Sequence, residues 1–289
     1  MRRIRITVAY DGTDYHGWQV QPGLPTIQGT LEAVIAEIEG RPVPVAGSGR
    51  TDAGVHALAQ VAAFSIDNPI PLPNLRKAMN RLLPPAIRVL DTQEAAPDFH
   101  PRFQALAKTY EYRIVRSEVC VPWEWRYVYH HPYPLDVDRM AACAPLIEGE
   151  HDFTAFAASD ANDEEGESKV RTVFLSHLEA APDRLIYRVR GSGFLKHMVR
   201  NIVGSLLETG RGNLDAAGWR ALLANPSRKA GPTAPAKGLF LVSVEYGDAL
   251  TAPLDDEPET DEECAAVETA RSEPGPGTPH EEVLREFGP

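Results

Sequence analysis

Twice along the first 247 residues a period-two apolar run gives way to a helix-period run, two further strand-like runs, a second helix and a closing strand. Ile4, Ile6, Val8 and Tyr10 alternate with polar or small residues, the spacing of a half-buried strand. Thr26 stands ready to cap a helix in which Ile27, Leu31, Val34, Ile35 and Ile38 share one face, and Gly40 stops it. Segments 43–47 and 59–66 then read as strands, 72–83 as a helix bracketed by prolines, and 86–93 as a strand. The second half repeats the rhythm: a strand at 107–115, a helix at 136–149, strands at 172–179 and 185–194, helices at 195–208 and 215–224, and a strand at 239–246. The pattern predicts an α+β fold with two similar sheet-on-helix halves, 1–105 and 106–247, joined near "FHPRFQALAK". The halves share this rhythm without a detectable sequence repeat.

A net charge of -12 argues against a polyanionic partner only if it is spread over the fold. It is not: residues 248–289 hold 13 acids against Arg271 and Arg285, a net of -11, which leaves -1 for residues 1–247. This acidic C-terminal tail, rich in Pro and Gly and poor in aromatic and branched residues, is expected to be disordered. Cys120, Cys143 and Cys264 never stand as C-x-x-C, so dithiol and zinc-ribbon chemistry lose support and a reducing cytoplasm is expected. The start "MRRIRITVAYDG" meets Asp11 before any apolar core of a signal peptide forms, and no run approaches the roughly eighteen apolar residues of a membrane span. A soluble protein with no membrane partner is expected.

Three stretches carry candidate chemistry. "GSGRTDAGVH", residues 47–56, lacks the Lys and Ser/Thr of a P-loop, and Asp52 stands where a dinucleotide fingerprint needs its third glycine. Asp52 is then either a turn residue accepting backbone N–H bonds or a carboxylate held out for reaction. Arg50 and Asp52 point the same way if the segment is extended, and a guanidinium beside a carboxylate favours the ionised form. That would suit a nucleophile; adjacent Arg and Asp also make ordinary surface pairs. In "KTYEYRIV" the residues Lys108, Tyr110, Tyr112 and Ile114 share one strand face, for packing or for stacking on an extruded base. In "GFLKHMVRNIVGSLLETGRG" a broad apolar face is opposed by His197, Arg200, Asn201 and Gly204. A buried Arg200 needs an acid, which is either a local Glu or Asp52 across the two halves. The acidic run "DEEGE" lacks calcium-loop spacing, and zinc-hydrolase, deaminase and serine-esterase signatures are missing.

Together with "YDGTDYHGWQVQP", "TIQGTLEAVI", "GEHDFTAF" and "APAKGLFLVSVEY", these stretches closely resemble the tRNA pseudouridine synthase A (TruA) family over about residues 4–247. The resemblance implies two RRM-like, ferredoxin-like halves around a basic active-site cleft. It also implies a cofactor-free, metal-free isomerase that turns uridine into pseudouridine at positions 38, 39 and 40 of the tRNA anticodon stem-loop. By position in the motifs, Asp52 is the catalytic aspartate, Arg50 helps extrude or hold the nucleotide, Tyr110 lies against the uracil, and Arg200 pairs with Asp52. It further implies a homodimer whose two subunits both contact tRNA. The chemistry is coherent, because breaking C1'–N1 and rejoining at C5 needs a carboxylate to meet positive charge on the sugar, and the base must leave its stack. Arg76, Lys77, Arg81, Arg88, Arg102, Lys108, Arg113, Arg116, Arg188, Arg190, Lys196 and Arg200 are candidate phosphate contacts. The competing readings are a noncatalytic RNA-binding module, a nucleosidase-type hydrolase using Asp52, and a scaffold in which all three motifs are packing.

Overall fold

Ile4, Ile6, Val8 and Tyr10 are all buried on one face of β1 (Arg2–Tyr10), as their alternation requires. The computed structural model describes residues 1–158, 168–225 and 227–247; the acidic run at 163–167 and the tail from 248 lie outside the described residues. Met1–Ala252 coheres as one compact unit.

Helix α1 (Ile27–Glu39) begins where the Thr26 side chain accepts from the Gly29 N–H and ends at Gly40, whose φ of 78° supplies the left-handed turn that releases the chain. The first half continues with β2 (Ala46–Gly47), β3 (His56–Ile66), α2 (Leu72–Leu82) and β4 (Ile87–Glu94). Only the last two residues of the strand expected at 43–47 enter the ladder, since Pro44 has no N–H to donate.

The second half holds β5 (Ala107–Val115), β6 (Tyr129–His130), α3 (Val137–Cys143), β7 (Gly149–Asp152), β8 (Val170–Ala180), β9 (Arg184–Gly191), α4 (Met198–Gly210), α5 (Ala216–Ala224) and β10 (Leu239–Glu245). The helix expected over 136–149 is shorter, because the chain tightens into a 3-10 turn at Ala144–Ile147, where Pro145 cannot continue the ladder. Helix α4 starts at Met198 rather than 195, because His197 sits at φ 60°, outside right-handed helical space.

All ten strands join one sheet in the order β4-β1-β3-β10-β5-β9-β8-β7, with β2 added to β3 and β6 to β5. The main strands of the two halves share an order: β4-β1-β3-β2 and β10-β5-β9-β8 each run fourth, first, third, second. The halves meet where β10 pairs in parallel with the first residues of β3, Phe240 beside His56 and Leu241 beside Ala57. One face of the sheet packs with the helices in the main core, around Ile4, Ile6, Ile27, Leu31, Tyr112, Ile202 and Trp219. Fully burying one such aliphatic side chain contributes about 1.5–3 kcal/mol. The other face carries a small cluster of Val61, Ala63, Ala95 and Phe99. The seam between the halves thus lies directly after residues 47–56.

Candidate active site

The 47–56 loop is clamped from several sides before any functional side chain is considered. Ser48 N donates to Val61 O at 2.8 Å, Gln60 Nε2 donates to Gly49 O at 3.0 Å, and Trp18 N donates to Thr51 O at 3.0 Å. Tyr10 and Thr51 share a hydroxyl hydrogen bond of 2.8 Å, and burial pushes the Tyr10 hydroxyl up to about 12, so it remains a neutral partner. Two glycines are required by close approach. A Cβ on Gly47 would lie 2.5 Å from the Trp18 ring, and Gly17, at φ 86°, would drive a Cβ to 2.5 Å from Thr51 O. The glycines therefore serve backbone packing, and the turn closed by Val55 N donating to Asp52 O at 3.1 Å leaves the Asp52 side chain projecting.

His56, 1% exposed, braces the seam behind this loop. Its Nδ1 accepts from Gly12 N at 3.1 Å, its Nε2 lies 3.1 Å from Arg126 O, and its ring stacks on Phe240 at 4.7 Å. The bonds fit the neutral tautomer that donates from Nε2, in keeping with burial holding this imidazole below its usual value. Asp11 accepts from the Tyr127 hydroxyl at 3.0 Å and ties the second half to the same corner.

Arg200 reaches Asp52 across the two halves. Its Nε donates to Ala234 O at 2.7 Å and its Nη1 donates to Asp52 Oδ2 at 3.0 Å, with the two side chains 15% and 25% exposed. The Ala234 segment comes this close because α4 has Gly204, where a Cβ would collide with Pro232 O. Arg50 does not flank the carboxylate: it is exposed and its Nε donates to Gln19 Oε1 at 3.0 Å. The expectation that Arg50 and Asp52 pair is not met, because Gln19 takes the Arg50 guanidinium and Arg200 takes the carboxylate. Of the polar face foreseen on α4, Asn201 is structural. It donates to Phe156 O at 2.7 Å and accepts from Thr233 Oγ1 at 2.6 Å.

Tyr110 is 7% exposed and meets Phe194 edge to face at 5.1 Å. Burial first, then Tyr10 and Asp52, push its phenol well above the ordinary tyrosine value. Tyr112 is fully buried and donates to Pro235 O at 2.7 Å, which makes it a core residue. Several expected phosphate contacts are already neutralised: Arg113 and Arg188 pair with Glu111 at 2.8 and 2.9 Å, and Arg190 pairs with Glu245 at 2.6 Å.

The residue the sequence left unassigned is His197, whose Nε2 lies 3.5 Å from Asp52 Oδ2. Burial, with Arg200 and Lys196 beside it, holds this imidazole below its usual value against the pull of Asp52, so it is neutral at neutral pH. Among the described residues it alone is a non-glycine at positive φ. Its place three residues before Arg200 was the only available signal. The left-handed backbone costs about 1–2 kcal/mol in a residue with a Cβ. His197→Gly is therefore expected to keep or raise the melting temperature in thermal unfolding. Losing the imidazole, worth about one hydrogen bond, is expected to lower turnover about fivefold.

A family model described as tRNA pseudouridine synthase matches residues 6–104 and 143–247. The chain belongs to the tRNA pseudouridine synthase family. Asp52 lies in the first matched segment and Arg200 in the second, so the ion pair joins the two. The tRNA pseudouridine synthase A of Solibacter usitatus is 70% identical over 246 residues, covering 85% of this chain and 100% of that protein. The Brevibacillus brevis relative is 44% identical over 247 residues, with 85% and 100% covered. The Latilactobacillus sakei relative is 43% identical over 249 residues, with 85% and 99% covered. Among solved structures, a Cbf5-Nop10-Gar1 complex aligns at a TM-score of 0.33 and 12% identity over 82% of this chain and 57% of that one, too weak a likeness to add to the argument.

Proposed function

We propose that this protein isomerises uridine to pseudouridine at positions 38, 39 and 40 of the tRNA anticodon stem-loop, with Asp52 as the catalytic carboxylate. The observation that carries the reading is the ion pair that Arg200, from the second half, makes with one oxygen of Asp52. His197 approaches that same Oδ2, which leaves Oδ1 to face the substrate. A structural turn aspartate would accept local N–H groups; this one is gripped through Oδ2 from another element.

The sugar C1'–N1 bond breaks as the Asp52 carboxylate meets the positive charge that develops on the ribose. The freed uracil turns, C5 bonds to C1', the C5 proton leaves and N1 takes up a proton, so no atom or electron is gained or lost overall. Tyr110, whose phenol stays neutral, supports the uracil face with Phe194 behind it, and the C5 proton passes to water. Arg50 lies at the rim, exposed and held by Gln19, where it takes the space or phosphate of the extruded nucleotide. The finer description of the halves as RRM-like rests on their shared strand order. The protein acts in the cytoplasm as a homodimer. Val119 and Trp123, 72% and 75% exposed on the segment before β6, are apolar surface that such a partner would cover.

The test is release of tritium from tRNA labelled at uridine C5, with no added cofactor. Release from positions 38 to 40 is expected; binding without release would return the protein to the noncatalytic RNA-binding reading.

A further inference from the structure

Arg200 and His197 approach the Asp52 side chain from the second half. The main chain beside Asp52 is held from the first half, through the residue that precedes it. Thr51 is 7% exposed, its O accepts from Trp18 N at 3.0 Å, and its hydroxyl shares a 2.8 Å hydrogen bond with the Tyr10 hydroxyl. Tyr10, 4% exposed, is the last residue of β1 and, among the described residues, the only hydrogen-bond partner of the Thr51 side chain. Where β1 pairs with β3 the register shifts between Val8, opposite Gln60, and Tyr10, opposite Ala57, so β3 carries one extra residue there. A bulge of this kind re-aims the side chains beside it. Here the neighbouring residue is Tyr10, whose hydroxyl reaches the 47–56 loop.

Packing alone does not require these two hydroxyls. Phenylalanine and valine have nearly the same shapes, and replacing both partners of a buried hydrogen bond by such groups can be nearly neutral for stability. What the pair adds is direction: it fixes the Thr51 side chain, and with it the main chain from which the Asp52 carboxylate projects. A misplacement of about 1 Å at a reacting group can cost about 10²-fold in rate. We infer that Tyr10 is a positioning residue, which acts through the Thr51 hydroxyl to hold the Asp52 carboxylate where it meets the sugar. This rests on the proposed isomerase reading, and it adds which side chain of the first half aims the carboxylate.

The test is a double-mutant cycle on the full chain, read by thermal unfolding, by fluorescence anisotropy with unmodified tRNA transcript, and by single-turnover release of tritium from tRNA labelled at uridine C5. Tyr10→Phe and Thr51→Val each leave one buried hydroxyl without its partner, so each is expected to lower the melting temperature and to slow release about tenfold. The double variant is expected to recover the melting temperature, to bind tRNA within about twofold of wild type, and to stay about tenfold slow, since the second substitution removes only the same bond. Thr51→Ser keeps the hydroxyl and is expected to restore most of the rate. A role in stability alone would return the rate together with the melting temperature. Wild-type release from the double variant, or losses that multiply to about a hundredfold, would overturn the positioning role. If the double variant does not fold, equal release rates from Thr51→Ser and Thr51→Val overturn it. Absence of release from the wild type overturns the isomerase reading and the positioning role with it, whereas wild-type release matched by the double variant overturns the positioning role alone.

Discussion

Asp52→Asn is expected to bind tRNA with wild-type affinity and to release tritium from uridine C5 at least about 10³-fold more slowly. Asparagine keeps the size of the side chain and a carbonyl oxygen for Arg200, so the loop and its clamps persist. What it loses is the negative charge that the reaction needs on the oxygen facing the sugar. The pair with Arg200 is partly open to solvent, so the melting temperature is expected to fall only modestly. Binding and release are measured on the same preparation with the same labelled tRNA. Wild-type release from Asp52→Asn would remove Asp52 from the chemistry and leave it a turn residue.

Arg200→Ala is expected to damage stability and rate together, which sets it apart from Asp52→Asn. Arg200 satisfies Ala234 O and Asp52 Oδ2 at once, from a position only 15% exposed. Its removal strands a carboxylate and a carbonyl at the seam. A fully buried pair broken this way loses about 3–5 kcal/mol, and the solvent reaching Asp52 lowers the expected cost to about 2–3 kcal/mol. For a unit of this size that is a fall of roughly 5–10 °C in thermal unfolding. Arg200→Lys is expected to recover part of the rate and less of the stability. An ammonium lacks the planar fork that serves two acceptors in fixed directions. An unchanged melting temperature for Arg200→Ala would show that the pair does not hold the halves together.

Several elements were legible because a single physical signal decided each one. The alternation in 4–10 and the capped apolar stripe in 26–40 placed β1 and α1 nearly to the residue. The face shared by Lys108, Tyr110 and Ile114 followed from strand geometry alone. Legibility failed where a long-range contact competes with local pattern. Extended geometry put Arg50 beside Asp52, but Gln19 takes Arg50; the charge partner 148 residues away is Arg200, a pairing the sequence had left open beside a local Glu. His197 looked like a helix residue because its neighbours have helical period. Its left-handed backbone arises only from fitting α4 against the seam.

By itself the chain's order of residues determined the element sequence, the caps, the apolar faces and the motifs in which Asp52, Tyr110 and Arg200 stand. These depend on periodicity and chemistry within a few residues of each position. Tertiary structure alone decided that β10 joins β3 beside the 47–56 loop and that Arg200 and His197 converge on one oxygen of Asp52. Those outcomes depend on which distant surfaces can close together, as Gly204 does for the Ala234 segment and Gly47 for Trp18, and no local pattern encodes that closure.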